Sequence, residues 1–241
     1  MLQRTKTTDR QPRLTAEPSS LGDYLARVHW AGHLTAAQLR QVEKDILVRR
    51  VPAGGFVCKK GESVDHWIGV MDGLAKMSLF SSEGKLTSLT GLPPGAWFGE
   101  GSLLKTEPRR YDILALRESR IAYLPRASFF HLLDNNIAFN RFLIVQLNER
   151  LGQFISLIEG ERLLEPDARV ARVLSNLFNP VLYPGLGLRL QISQEELGLL
   201  SGVSRQRVNQ ALHVLEAAGL LTVDYGGITV LDLAGLARFG R

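Results

Sequence analysis

One stretch near the C-terminus, "ISQEELGLLSGVSRQRVNQALHVLEAAGLL", restricts the fold more than any other. It contains two helix starts in quick succession. Ser193 and Glu196 form an S-x-x-E capping box, in which each side chain bonds the other's orphan backbone N–H. Ser204 caps a second helix, and Gly202 between them allows a tight turn. Leu197, Val203, Val208 and Leu212 supply the apolar contacts that hold two short helices at a steep angle, with Gly198 small where they cross. That is a helix-turn-helix pattern. The following "LLTVDYGGITVLD" reads as a two-stranded hairpin turning at Gly226-Gly227, placed as a wing.

The front of the second helix is rich in hydrogen-bonding side chains. Arg205, Gln206, Asn209 and Gln210 fall within its first two turns, and 206, 209 and 210 share a face. Arg bonds guanine bidentately, and Gln or Asn bonds adenine. The second helix of a helix-turn-helix sets its N-terminal residues on base edges in the major groove. Ser204 and the exposed N–H groups of the helix start suit a phosphate, and Ser193 joins this candidate DNA-binding set. Arg207 points elsewhere on the helix, and phosphate contact and plain solvation both stay open for it. The formal net charge is +5, yet from Pro166 onward seven Arg stand against six Asp or Glu. DNA binding must therefore come from local placement rather than bulk charge.

Upstream, the texture changes twice. Residues 1–20 form a polar tail, read as disordered over residues 1–18. From Leu21 to Leu47 the apolar spacing suggests two short helices. Between Val48 and Leu124 short β-like runs are broken by glycines, with a hairpin turn expected at Ser82-Glu83-Gly84-Lys85. Such spacing predicts an antiparallel sandwich or barrel over 21–134. Helical periodicity returns from Arg126 to about Leu164, and Ile144, Leu151 and Ile158 repeat every seven residues with Leu147 and Phe154 between. This a/d seam predicts a dimerisation helix over 135–165, with packing on the chain's own barrel as the alternative. Pro166 disfavours helix at the residue before it and opens a DNA-binding domain over 166–241. Together these readings give an α+β fold class: an antiparallel sandwich or barrel, a long helix and a winged helix-turn-helix.

Several classes fall away. No run approaches the length of a bilayer span and the N-terminus lacks a signal-peptide core, so a cytoplasmic protein with no membrane partner is expected. Cys58 is the single cysteine, which excludes an intramolecular disulfide, an Fe–S cluster and a Cys-based zinc site. With no nucleophile–base pair, Walker-type loop or metal-ligand cluster in view, neither a catalytic nor a metal site is expected. Haem ligation by His66 or Cys58 is disfavoured, because a lone His beside a strand Trp is usually structural.

On "LPPGAWFGEGSLL…RRYDILALRES" and "ISQEELGLLSGVSRQRVNQAL", the chain resembles the CRP/FNR superfamily of bacterial transcription regulators over residues 21–232, which implies that the sandwich or barrel is an antiparallel β-roll of jelly-roll type. The first motif is similar to the phosphate-binding cassette of cyclic-nucleotide domains. The resemblance makes Gly99, Glu100, Gly101, Ser102, Arg109, Arg110 and Tyr111 candidate effector residues. In it Glu100 accepts a ribose hydroxyl and Arg110 meets the cyclic phosphate, unless the two simply pair with each other. Two departures stand out. Tyr111 replaces the Ser or Thr that follows the cassette Arg, and Phe154-Ile155 fall near the adenine-contacting hydroxyl pair, with Ser156 close by. Cyclic AMP, another nucleotide or small effector, and no diffusible effector all stay open. The resemblance further implies a homodimer on inverted-repeat double-stranded DNA, with RNA polymerase as a partner. A cyclic-nucleotide-responsive regulatory subunit without sequence-specific DNA binding is the competing reading.

Overall fold

The computed structural model describes residues 20–80, 86–184 and 186–240, without the side chains of residues 86 and 161–163. The tail read as disordered and the turn expected at Ser82–Lys85 lie outside the described residues. Helices α1 (Leu21–Leu25) and α2 (Ala36–Asp45) each start on a capping box, Ser20 with Asp23 and Thr35 with Gln38. Between them lies a 3-10 turn, His29–His33, that the apolar spacing did not reveal.

Eight strands follow: β1 (Leu47–Val51), β2 (Phe56–Cys58), β3 (His66–Asp72), β4 (Ala75–Phe80), β5 (Leu86–Leu92), β6 (Trp97–Phe98), then after helix α3 (Glu100–Lys105) β7 (Asp112–Ala115) and β8 (Ser119–Pro125). They pair antiparallel in two four-stranded sheets, β1-β8-β3-β6 and β2-β7-β4-β5. Val70 and Ile121 of one sheet share a core with Met77 and Ile113 of the other, as alternating strand residues of a closed roll must. The three tryptophans join in a second cluster. Trp67 and Trp97 lie 4.5 Å apart between ring centroids, and Trp30 sits 5.0 Å from Trp97 and 5.2 Å from Trp67. Through Trp30 this cluster ties the N-terminal helices to the roll.

The helical run divides into α4 (Arg126–Asn135) and α5 (Ile137–Leu163). Asn136 leaves helical geometry at φ −142° and ψ 100°, and its Oδ1 accepts the Phe139 N–H, capping the longer helix. At 27 residues α5 is about 40 Å long. One face, carrying Phe139, Leu143, Gln146, Arg150 and Gln153, is buried on the roll. The opposite face shows Ile144, Leu151, Ile155 and Ile158, each more than half exposed, while Leu147 is 38% exposed. Phe154, expected in the seam, instead packs against the roll's core. It follows the inward-facing Gln153, and the helical period of 3.6 passes the outward position to Ile155.

Next come α6 (Pro166–Leu177), β9 (Arg189–Gln191), α7 (Gln194–Ser201), α8 (Arg205–Ala217), β10 (Leu221–Asp224), β11 (Gly227–Val230) and α9 (Leu233–Arg238). The wing gains a third strand, β9, that the two-stranded hairpin reading did not include; the sheet order is β10-β11-β9. The loop between α6 and β9 does more than connect. Its Leu182 and Tyr183 belong to the β-roll core, so the two halves of the chain share buried apolar surface. Among the described residues no helix is long and apolar enough to cross a membrane.

Candidate nucleic-acid interface and effector site

The interface begins with two caps. Ser193 Oγ accepts the Glu196 N–H at 3.1 Å while a Glu196 carboxylate oxygen accepts the Ser193 N–H at 2.7 Å. α7 ends at Gly202 in the left-handed region, φ 66°. A Cβ on Gly198 would come within 2.8 Å of the Val203 carbonyl oxygen, so only glycine lets the turn fold back on α7. Ser204 then accepts the Arg207 N–H, and Leu197, Val208 and Leu212 are buried beneath the helix pair.

This packing leaves the front of α8 in solvent. Ser193, Ser204, Arg205, Gln206 and Gln210 are exposed, and Asn209 and Arg207 are half-buried. Two amides are already oriented: Gln194 Nε2 donates to Asn209 Oδ1 at 2.8 Å, and Arg207 Nη1 donates to Gln210 Oε1 at 3.0 Å. A second Arg207 nitrogen lies 3.4 Å from Asp167 Oδ1, which draws this side chain back toward α6. The first N–H groups of α8 have no partner within the helix and face the same solvent as Arg205. Tyr225, between β10 and β11 and fully exposed, adds an aromatic ring at the wing tip that the sequence reading passed over.

The cassette is built differently from the pattern it resembles. Gly99 caps α3 at φ 96°, and a Cβ there would meet Arg109 Nη1 at 2.8 Å. Glu100 is buried, its Oε2 accepting the Trp67 indole N–H at 3.3 Å; the tryptophan cluster thus fixes the carboxylate. Ser102 is buried and Gly101 half-buried. The buried guanidinium is that of Arg109, whose Nη2 donates to the His66 carbonyl at 3.1 Å and whose Nη1 has no partner among the described residues. Arg110 lies on the surface and grips Glu107 bidentately, Nε at 2.9 Å and Nη2 at 2.8 Å. With Arg110 and Lys105 beside it, the Glu107 carboxyl is held down at about 2. Glu100 and Arg110 therefore do not pair. The Tyr111 phenol is pushed up, chiefly by burial.

Behind the cassette, α5 contributes groups that no motif flagged. Gln146 Nε2 and Arg150 Nη2 both donate to the Trp97 carbonyl, at 3.3 and 2.9 Å. Gln153 Nε2 and Arg150 Nη1 reach the Tyr183 hydroxyl at 3.1 and 3.4 Å, and that hydroxyl donates to the Gly91 carbonyl at 3.2 Å. Burial works against the charge on Arg150, but Tyr183, Glu100 and Tyr111 outweigh it and raise its pKa. Ser156, the hydroxyl nearest the expected adenine position, is bonded by Arg172 at 2.8 Å. A separate cavity of about 300 Å3 is lined in part by Cys58, His66, Arg109 and Tyr123. Burial lowers the His66 pKa and pushes the Cys58 thiol up to about 11.

Residues 48–136 match the cyclic nucleotide-binding domain family, and residues 168–239 match the Crp-like helix-turn-helix domain family. The chain is similar to the cyclic AMP receptor protein of Thermus thermophilus, 30% identical over 186 residues that cover 77% of this chain and 84% of the relative. It is 26% identical over 178 residues to the cAMP-activated global transcriptional regulator CRP of Haemophilus influenzae, covering 72% and 79%. The solved structure of FixK2 from Bradyrhizobium japonicum superposes with a TM-score of 0.65 over 81% of this chain and 98% of that one. At 16% identity that likeness is one of fold.

Proposed function

The chain belongs to the CRP/FNR family of DNA-binding transcription regulators, and from that premise we propose that it acts in the cytoplasm as a homodimer on inverted-repeat DNA. The observation that carries this reading is the solvent-facing start of α8, where Ser204, Arg205 and Gln206 are exposed together in the first turn. Arg205 and Gln206 read base edges, with Asn209 and Gln210 held ready behind them; Ser193 and Ser204 meet phosphates, and Arg207, drawn toward Asp167, follows the backbone. The dimer forms through the outward face of α5, where Ile144, Leu147, Leu151, Ile155 and Ile158 present an apolar stripe to solvent in a single chain. RNA polymerase is the protein partner that a regulator of this kind addresses on DNA.

The effector site does not fit cyclic AMP as it stands. The cation expected at the cyclic phosphate, Arg110, is turned outward into Glu107. Phe154 and Ile155 provide no hydroxyl for adenine, and Ser156 is engaged by Arg172. An unmade buried hydrogen bond costs about 1–3 kcal/mol, so two of them remove most of the affinity such a site could have. On this reading DNA binding proceeds without cyclic AMP, and the cassette's buried anchors, Glu100 and Arg109, hold the roll together. Calorimetric titration of the purified protein with cyclic AMP, cyclic GMP and cyclic di-GMP tests it. Silence from cyclic AMP is expected, and micromolar binding lost in Arg110→Ala would overturn this part of the account.

A further inference from the structure

The richest unassigned chemistry lies between the roll and the helix-turn-helix. A cavity of about 320 Å3 opens there, at the small end of ligand-holding cavities, walled by β4 and β5 on one side and by the end of α5, α6 and the α7–α8 turn on the other. Three cationic side chains line it, Lys76, Arg169 and Arg172, and among the described residues no carboxylate does.

Those cations are under-satisfied. Lys76 is 4% exposed, and its ammonium meets only Ser88 Oγ, at 3.2 Å, among the described residues. Arg172 is likewise 4% exposed. Its Nη1 bonds Ser156 and Glu159, but its Nε and Nη2 have no partner among the described residues, and neither does Arg169 Nε. Burying donors unpaired costs free energy, and burying charge costs more. Burial already pulls the Lys76 pKa down. The remaining wall combines apolar side chains, Leu89, Leu157 and Leu200 among them, with Thr87, Ser88 and Ser201. Among the described residues no aromatic side chain lines it on which a nucleotide base could stack.

We propose that this cavity binds a small amphiphilic anion, a carboxylate or phosphate head on a short alkyl body, and that its occupancy ties β5 to the α7–α8 turn. The head is held by the cationic side chains that line the cavity, Lys76, Arg169 and Arg172, once Arg172 Nε and Nη2 and Arg169 Nε, enclosed as they stand, turn toward it; the body lies against the leucines. Charge-assisted bonds from guanidinium and ammonium suit both head groups. Because the ligand touches both halves of the chain, its binding energy stabilises their present arrangement by mass action. None of the cassette residues lines this cavity, so the inference stands or falls apart from the effector reading above.

The test is calorimetry and thermal unfolding of the full chain with hexyl phosphate, hexanoate and inorganic phosphate as probes, hexanol being the uncharged control. The expected result is one site per chain for hexyl phosphate or hexanoate, with a raised Tm and weaker binding of phosphate and hexanol. Lys76→Met and Arg169→Met should each weaken it about tenfold or more, the effect of losing one charge-assisted bond. Arg172 also holds Ser156 and Glu159 and is left intact for that reason. Lys76→Met keeps the side-chain volume and should fold at least as stably as the parent, which separates lost binding from lost structure. Absence of binding by both alkyl anions at millimolar concentration overturns the proposal, as does affinity unchanged in both variants. Inorganic phosphate binding as tightly as hexyl phosphate would overturn the amphiphilic assignment.

Discussion

Arg117, in the turn between β7 and β8, grips Glu196 on the first helix of the helix-turn-helix with both its Nε, at 2.9 Å, and its Nη2. Glu196 is also the capping-box residue of α7, so the carboxylate that starts this helix is the one the roll holds. The pair is partly buried, with the side chains 30% and 12% exposed. Its coupling should therefore lie between that of surface and buried ion pairs, at about 1–2 kcal/mol. A double-mutant cycle of Arg117→Met and Glu196→Gln, read by thermal unfolding, measures it. Gln preserves the cap while removing the charge. Additive effects of the two changes would show that the contact contributes nothing.

The seam prediction concerns the outward face of α5. Leu151→Glu and Ile155→Glu place charge on a face that is solvent-exposed in one chain, so neither should unfold it. Sedimentation should show a dimer for the parent protein and a monomer for each variant. Phe154→Ala is the contrast: it packs on the roll, and truncating it should lower Tm by several degrees without dissociating the dimer.

Cys58 gives a pH signature. Its thiol titrates near 11, mainly through burial, against a model-peptide value near 9. A folded-state pKa above the unfolded one means the neutral thiol contributes stability fully below about pH 9 and loses it as pH rises toward 11. Alkylation of native protein should accordingly stay slow through pH 9 and accelerate above it, or on unfolding. Rapid labelling at pH 8 would contradict the buried thiol.

Arg205 and Arg207 should behave differently on DNA. Arg205→Ala is expected to weaken specific binding by about 1–3 kcal/mol and to relax preference at one base pair. Arg207→Ala should weaken all sequences alike and lower the salt slope by about one unit. Quantitative binding to the preferred site and its single-base variants, at several salt concentrations, separates the two roles.

What could be read from the sequence depended on how local each feature is. The capping box at Ser193, the turn at Gly202, the cap at Ser204 and the wing turn are set by residues within a few positions of one another, and the structure forms them, with the wing turn one residue earlier than expected, at Tyr225-Gly226, and Gly227 opening β11. The antiparallel strands of the roll followed from glycine-punctuated runs. Features that depend on distant partners were invisible. Nothing near Glu196 announces Arg117, 79 residues away, and nothing near Tyr183 announces the Gly91 carbonyl, 92 residues away. The cassette shows the same limit in reverse. The resemblance placed Arg110 at the effector site, but Glu107, three residues earlier, holds that side chain at the surface while Arg109 lies in the interior. The shift from Phe154 to Ile155 in the seam has a similar cause: heptad spacing identifies a repeat, while the face packed on the roll decides which member points out.

The most direct test of the whole account is selection of bound duplexes from a random DNA library by the purified full-length protein, with no cyclic nucleotide present. Two recognition helices related by a two-fold axis must reach successive major-groove turns about 34 Å apart. The expected product is an inverted repeat whose half-sites are centred about ten base pairs apart, and it should be lost from Leu151→Glu selections. An unenriched library, or enrichment of a single unrepeated half-site by the intact protein, would contradict dimeric sequence-specific recognition.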